Sequence, residues 1–128
     1  MRLLLDTHAL LWWLLGDNAL SAAAQAAVAN EANQTFISAV TAWEIAIKHK
    51  QGRLPSAARL IVDLDDIIAR QGFMELSITI RNAESAGGLP LFHKDPFDRM
   101  LIAQALAENL MLVSNEVIFD RYGALRLW

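Results

Sequence analysis

The 128 residues contain no cysteine, so neither a disulfide framework nor a thiolate metal site is available to the chain. A reducing compartment, with the cytoplasm as the default, is the matching expectation. No apolar run approaches the roughly 20 residues that a membrane-spanning helix needs. The segment from Met1 to Trp13 has the outline of a leader, but Asp6 and His8 interrupt it and Gly16-Asp17-Asn18 is a poor cleavage context. It reads instead as strand plus helix, and no membrane association is expected. A basic excess is also missing: 11 Lys and Arg against 14 Asp and Glu leave a net charge of -3, whereas nucleic-acid binders ordinarily display a basic face. Bound divalent cations would reverse that balance locally. Internal repeats and low-complexity tracts are absent as well.

What is present is apolar. Hydrophobic residues make up 55% and charged residues 20% of the chain, which describes one packed domain over residues 1–128 rather than a disordered segment. A chain of this size buries roughly two thirds of its unfolded surface, and the apolar excess leaves groups to spare for a partner surface.

Strand-like and helix-like segments alternate, so the expected fold is α/β with a mainly parallel sheet. Arg2 to Asp6 reads as a strand and Thr7 to Leu15 as an apolar helix. Ser21 can cap a second helix to about Asn30, and Thr35 to Ser38 is a short buried strand. A helix from Val40 to Lys50 stops at Gly52, where left-handed backbone is tolerated. Ser56 can cap a helix to about Arg70, Phe73 to Ser77 has strand character, and Thr79 to Ala86 is a short helix. Gly87-Gly88-Leu89-Pro90 is the strongest breaker. Asp95-Pro96-Phe97-Asp98 starts a helix ending near Asn109, with Asp95 as cap and Pro96 at the favoured first position. Leu110 to Val113 is a buried strand, Asn115 to Tyr122 a short helical segment, and Ala124 to Trp128 an edge strand or tail.

Four carboxylates stand beside apolar sequence. Asp6 follows Leu3-Leu4-Leu5, Glu44 lies within Trp43-Glu44-Ile45-Ala46-Ile47, Asp98 precedes Met100-Leu101-Ile102-Ala103, and Glu116 follows Leu112-Val113-Ser114. Like charges gathered in a partly buried place repel one another and lose hydration, so such a cluster persists mainly around a cation. Hard oxygen ligands select Mg²⁺ or Mn²⁺. In an open parallel sheet the ligand crevice lies beyond the carboxyl ends of strands, where Asp6 and Glu116 fall. A structural account competes for three of the four: Asp6 can cap the first helix, Asp95 and Asp98 resemble a capping box, and Glu116 suits the positive end of a helix dipole. Glu44 resists it. Its helical neighbours Val40 and Ile47 put it on a largely apolar face, and Lys48 at i+4 offers a surface pair worth only ~0.3 kcal/mol.

The blocks Leu4-Leu5-Asp6-Thr7-His8, Ile37-Ser38-Ala39 with Trp43-Glu44-Ile45-Ala46-Ile47-Lys48, His93-Lys94-Asp95-Pro96-Phe97-Asp98-Arg99-Met100-Leu101-Ile102-Ala103-Gln104-Ala105, and Leu112-Val113-Ser114-Asn115-Glu116 run through nearly the whole chain. In these blocks and their order the chain resembles the PIN-domain nucleases, in particular the toxins of bacterial VapBC toxin-antitoxin pairs. The resemblance implies a three-layer α/β/α domain and metal-dependent endoribonuclease activity that leaves 5′-phosphate and 3′-hydroxyl ends. Asp6, Glu44 and Asp98 fall at the family's acidic positions. Glu116 stands where many members carry Asp, one methylene longer, so its ligation through water is an open alternative. The resemblance also implies an RNA substrate, a cognate antitoxin and a homodimer.

Thr7 and Ser114 can orient a ligand carboxylate or bond a metal-bound water, with helix capping as the competing role, and Asp95 is auxiliary. Lys48 and Arg99 adjoin the acidic motifs and are expected phosphate contacts, against the plainer alternative of a solvated face. The histidines lack a zinc spacing. Trp12 and Trp13 cannot both point inward, which leaves one for a partner, and Trp43 is expected in the core. Two other classes compete. A phosphorylatable receiver is disfavoured because Thr35-Phe36-Ile37-Ser38 offers no acceptor aspartate and no lysine follows the Leu110 to Val113 strand. A catalytically silent PIN-like module that binds RNA or protein remains the alternative.

Overall fold

The computed structural model describes residues 1–60 and 62–128. Along the chain run β1 (Arg2–Leu5), α1 (Thr7–Leu15), α2 (Ala22–Ala29), β2 (Gln34–Ser38), α3 (Ala39–Lys50), a 3-10 turn at Pro55–Ala57, α4 (Leu64–Arg70), β3 (Met74–Leu76), α5 (Ile80–Gly88), α6 (Pro96–Glu108), β4 (Met111–Val113), a 3-10 turn at Val117–Tyr122 and β5 (Arg126–Leu127). The sheet order is β3-β2-β1-β4-β5, and all four pairings are parallel.

β1 is apolar on both faces because both are covered, which is how a central strand of a parallel sheet reads. Leu3 and Leu5 point into one core with Ile37 and Val113, under α1, α2 and α4. Leu4 points into the other, paired in register with Phe36 and Leu112 and covered by Leu101 and Ile102 of α6 and by Phe119. The period-two alternation of the strands thus makes two cores and three layers. α3 serves both, through Val40 on one side and Ile45 on the other.

Short polar signals set the helix boundaries. Ser21 accepts the Ala24 amide at 3.1 Å, Thr79 and Asn82 form a reciprocal capping box, and the Asp95 carboxylate accepts the amides of Phe97 at 2.9 Å and Asp98 at 3.0 Å. Gly16, at φ 65°, ends α1 in left-handed backbone that a Cβ would disfavour.

Three expectations are corrected. The single helix from Ser56 to Arg70 is instead a 3-10 turn and the shorter α4; Ile61 and the Ser56 side chain lie outside the described residues. α5 continues through Gly87 and Gly88, because neither needs positive φ and the chain turns only at Leu89. Trp43 is not in the core: it is 59% exposed, with its ring roughly perpendicular to that of Phe97 at 5.4 Å between ring centroids. Trp12 and Trp13 are both half-buried, the first against His8 and Trp128, the second against Phe73 with its indole N–H on Gln71.

The chain builds outward from β1 through β2 to β3, then crosses back to lay β4 and β5 on the opposite side. The carboxyl ends of β1 and β4 are therefore a topological switch point, where connections leave in opposite directions and a crevice opens. Asp6 directly follows β1 and Ser114 directly follows β4.

Candidate active site

That crevice is a cleft of about 180 Å³ lined by Asp6, Thr7, His8, Glu44, Lys48, His93, Asp95, Asp98 and Glu116. Five carboxylates from four remote stretches meet there, and Lys48 is the single lysine or arginine among the described lining residues. Roomier hollows elsewhere have no comparable set of charged groups.

Asp6 is buried and caps α1, one oxygen accepting the Ala9 amide at 2.8 Å. The capping role and the cleft position coexist, since a carboxylate has a second oxygen to offer. Burial raises its pKa above the usual carboxylate range and Glu116 adds to the rise, while the Ser114 hydroxyl, the Ala9 amide and His8 oppose it.

Glu44 is buried on α3, and the structure supplies the partners its apolar flank demands: Thr7 Oγ1 donates to Oε1 and Lys48 Nζ to Oε2. The Lys48 pair is not a surface pair, with side chains only 18% and 5% exposed. Lys48 is thereby held as a counter-ion to Glu44 rather than presented freely to solvent.

Asp98 sits in the first turn of α6. Burial lifts its pKa to about 6; the hydrogen bond from His93 opposes the shift, while Asp95 and Glu44 reinforce it. His93 Nε2 lies 2.7 Å from Asp98 Oδ2, and His93, Asp95 and Asp98 can each turn a ligand atom to within 4.8 Å of the others. Arg99, by contrast, is no phosphate contact. It is buried, and its guanidinium donates to the carbonyls of Pro90 at 2.9 Å, His93 at 3.1 Å, Gly87 at 3.2 Å and Leu89 at 2.8 Å. Adjacency to an acidic motif placed it in the right neighbourhood, but alternate residues of one helix turn face different ways.

Glu116 is exposed and opens the 3-10 turn without a side-chain capping bond, so its carboxylate has no structural job among the described residues. Ser114 is buried, and its Oγ accepts the Glu116 amide at 3.0 Å. One polar residue, His93, reads from the sequence as a solvated loop position or a substrate contact, and one, Gln104, drew no assignment. His93 stands two residues before the α6 cap, from where a side chain can fold back over the first turn onto Asp98. Gln104, a lone amide in Leu101-Ile102-Ala103-Gln104-Ala105, is fully buried; it accepts the Ser38 hydroxyl at 2.6 Å and donates to the Ser77 carbonyl at 3.1 Å and to Asn82 at 3.3 Å.

The donor set suits a hard divalent cation. It consists of carboxylate oxygens, two of them on groups whose burial disfavours charge and one, Glu116, otherwise without a role. Fold and cleft together define an α/β domain with an acidic cleft at its switch point. The PIN domain profile matches residues 3–125. Ribonuclease VapC22 of Mycobacterium tuberculosis is 30% identical over 114 residues, covering 88% of this chain and 85% of the relative. Two solved structures share the fold: VapBC2 from Rickettsia felis bound to a DNA fragment from their promoter, with TM-score 0.64, 18% identity and coverage of 100% of this chain and 99% of that one, and VapBC-1 from nontypeable Haemophilus influenzae, with TM-score 0.65, 17% identity and coverage of 99% and 97%. The chain belongs to the PIN domain family. PIN nucleases generally use a divalent metal, and this chain carries an acidic cluster of matching chemistry.

Proposed function

We propose that this protein is a divalent-metal-dependent endoribonuclease and the toxin of a toxin-antitoxin pair, acting in the cytoplasm as a single PIN domain over residues 1–128. The observation that carries the reading is convergence: Asp6, Glu44, Asp98 and Glu116 come from four separate segments into one small cleft at the switch point. Similarity to a relative named a ribonuclease supports the substrate class. A cognate antitoxin and a homodimer are the proposed protein partners, the first in line with the VapBC assemblies that share this fold.

Asp6, Glu44, Asp98 and Glu116 would hold Mg²⁺ or Mn²⁺, which supplies Lewis acidity, acidifying water and offsetting charge on the phosphodiester under attack. The chain's own groups aim those carboxylates. Thr7 and Lys48 fix both oxygens of Glu44. The Ala9 amide fixes one oxygen of Asp6, and Ser114 favours its charged form. Asp95 shapes the first turn of α6 by capping it, which sets the direction of Asp98. Lys48 is the proposed substrate contact, available to a phosphate once a cation takes over the charge of Glu44.

RNA cleavage compared in Mg²⁺, Mn²⁺ and EDTA tests this. Cleavage is expected with metal only, and Asp6→Asn and Asp98→Asn are each expected to lower it on the order of 100-fold or more, the equivalent of a few kcal/mol of barrier. Cleavage indifferent to both substitutions rejects the site. RNA binding by the wild type without cleavage in either metal would establish the silent module instead.

A further inference from the structure

The segment that runs from the last residues of α5 to His93 is held by more hydrogen bonds than a surface connection requires. Its sequence, Gly87-Gly88-Leu89-Pro90-Leu91-Phe92-His93, is rich in breakers, and ordering such a segment costs roughly 1–2 kcal/mol per residue. Four of its carbonyls converge on the buried Arg99 guanidinium. From the other side comes Tyr122, at the far end of the turn that Glu116 opens: its hydroxyl accepts the His93 amide at 2.9 Å and donates to the Pro90 carbonyl at 2.7 Å. Phe92 packs on the Tyr122 ring at 5.3 Å, and the His93 ring meets Phe119 at 6.4 Å. The group this loop delivers into the cleft is the His93 imidazole, 2.7 Å from Asp98.

We propose that Arg99 and Tyr122 form a clasp on residues 87–93 that holds His93 against Asp98, so that His93 is a positioning residue for that carboxylate. The inference rests on the reading of the cleft as a metal centre. The Asp95 cap fixes the backbone of the first turn, but an Asp side chain there keeps two rotatable bonds. The imidazole removes that freedom by taking Oδ2, and the other carboxylate oxygen has no hydrogen-bond partner among the described residues. Outer hydrogen-bond partners of this kind typically govern metal affinity by 10–100-fold. Arginine suits the clasp because its planar fork serves several acceptors at once, which a lysine ammonium does not reproduce. The clasp also ties the turn behind Glu116 to the start of α6, so the segments bearing Asp98 and Glu116 move as one.

The test measures the Mn²⁺ dissociation constant by electron paramagnetic resonance in the full chain, with RNA cleavage and thermal unfolding in EDTA alongside. His93→Ala and Tyr122→Phe are expected to weaken Mn²⁺ binding about 10-fold or more and to lower kcat with KM for RNA little changed. His93→Gln, whose amide nitrogen takes the place of Nε2, is expected to restore most of the affinity. Asp98→Asn is the control that separates the two readings. If it leaves Mn²⁺ binding intact, the metal-centre reading fails; if it abolishes binding while His93→Ala and Tyr122→Phe bind Mn²⁺ as the wild type does, the positioning role alone is overturned. Should Arg99→Lys unfold, Tyr122→Phe still decides the clasp, since it removes one hydroxyl from a partly exposed ring.

Discussion

Lys48 faces the carboxylates at close range and is bound to one of them, an arrangement that makes it the internal counter-charge of Glu44. Removing it leaves a buried carboxylate with only the Thr7 hydroxyl, so Lys48→Ala is expected to destabilise the metal-free protein by roughly 2 kcal/mol in urea unfolding, less than for a fully buried pair because the lysine is partly solvated. The same change is expected to enlarge the stabilisation that Mg²⁺ or Mn²⁺ confers; an unchanged increment would contradict the counter-charge role. Asp98 gives a pH dependence of defined sign. Its pKa is raised by burial from 3.8 to about 6, so between those values the folded state binds more protons than the unfolded one and stability falls as pH rises. In EDTA the protein is therefore expected to be more stable at pH 5 than at pH 7, by an amount on the order of 1–3 kcal/mol from Asp98, and Asp98→Asn is expected to reduce the slope, leaving the part of the same sign that buried Asp6 contributes. The candidate carboxylates were legible in the sequence through their combination, since Asp6, Asp98 and Glu116 each admit a capping or helix-dipole account alone and only Glu44 resists one. The roles of Arg99 and His93 were not, because they depend on where the 87–93 loop folds back, which no periodicity encodes.

At the level of elements, α3 and α6 carry Glu44 and Asp98 and must keep a fixed relation. Part of that relation is polar: Ser38 caps α3 by accepting the Val40 amide at 3.1 Å and donates its hydroxyl hydrogen bond to Gln104 Oε1 of α6 at 2.6 Å. Gln104→Leu is expected to cost about 1–3 kcal/mol, because Ser38, Asn82 and the Ser77 carbonyl each lose a buried partner; urea unfolding reads it, and a cost near zero would mean that the network is incidental. Asp95→Ala removes the cap that receives two amides and is expected to cost about 1 kcal/mol in the same measurement. The order and parallel sense of strands and helices were legible because each central strand is a short run buried on both faces, and because Ser21, Asp95 and Gly16 mark helix ends with specific chemistry. What escaped was tertiary in origin. Trp43 reads as core by residue type, yet α3 already fills both cores with Val40 and Ile45 on its other sides, and the tryptophan falls outside. The span from Ser56 to Arg70 has helical spacing, but its ends form separate short elements.

For the whole molecule, a cation bound only by the folded state is a stability term. At a metal concentration 100 times the dissociation constant the gain is about 2.7 kcal/mol, which for a chain of this length corresponds to a rise in Tm of roughly 10 °C over EDTA. That increment is expected to vanish in Asp6→Asn and in Asp98→Asn, whereas substitution of exposed Glu108, far along α6 from the cleft, leaves it intact; loss of the increment in Glu108→Gln as well would indicate non-specific cation effects. The strand order has a further outcome for synthesis. Asp6 leaves the ribosome first and Glu116 more than a hundred positions later, and β1 finds its second neighbour, β4, only after α6 has been made. A nascent chain therefore carries scattered acids, and the cleft that gathers Asp6, Glu44, Asp98 and Glu116 can close only after β4 and the turn behind it have emerged.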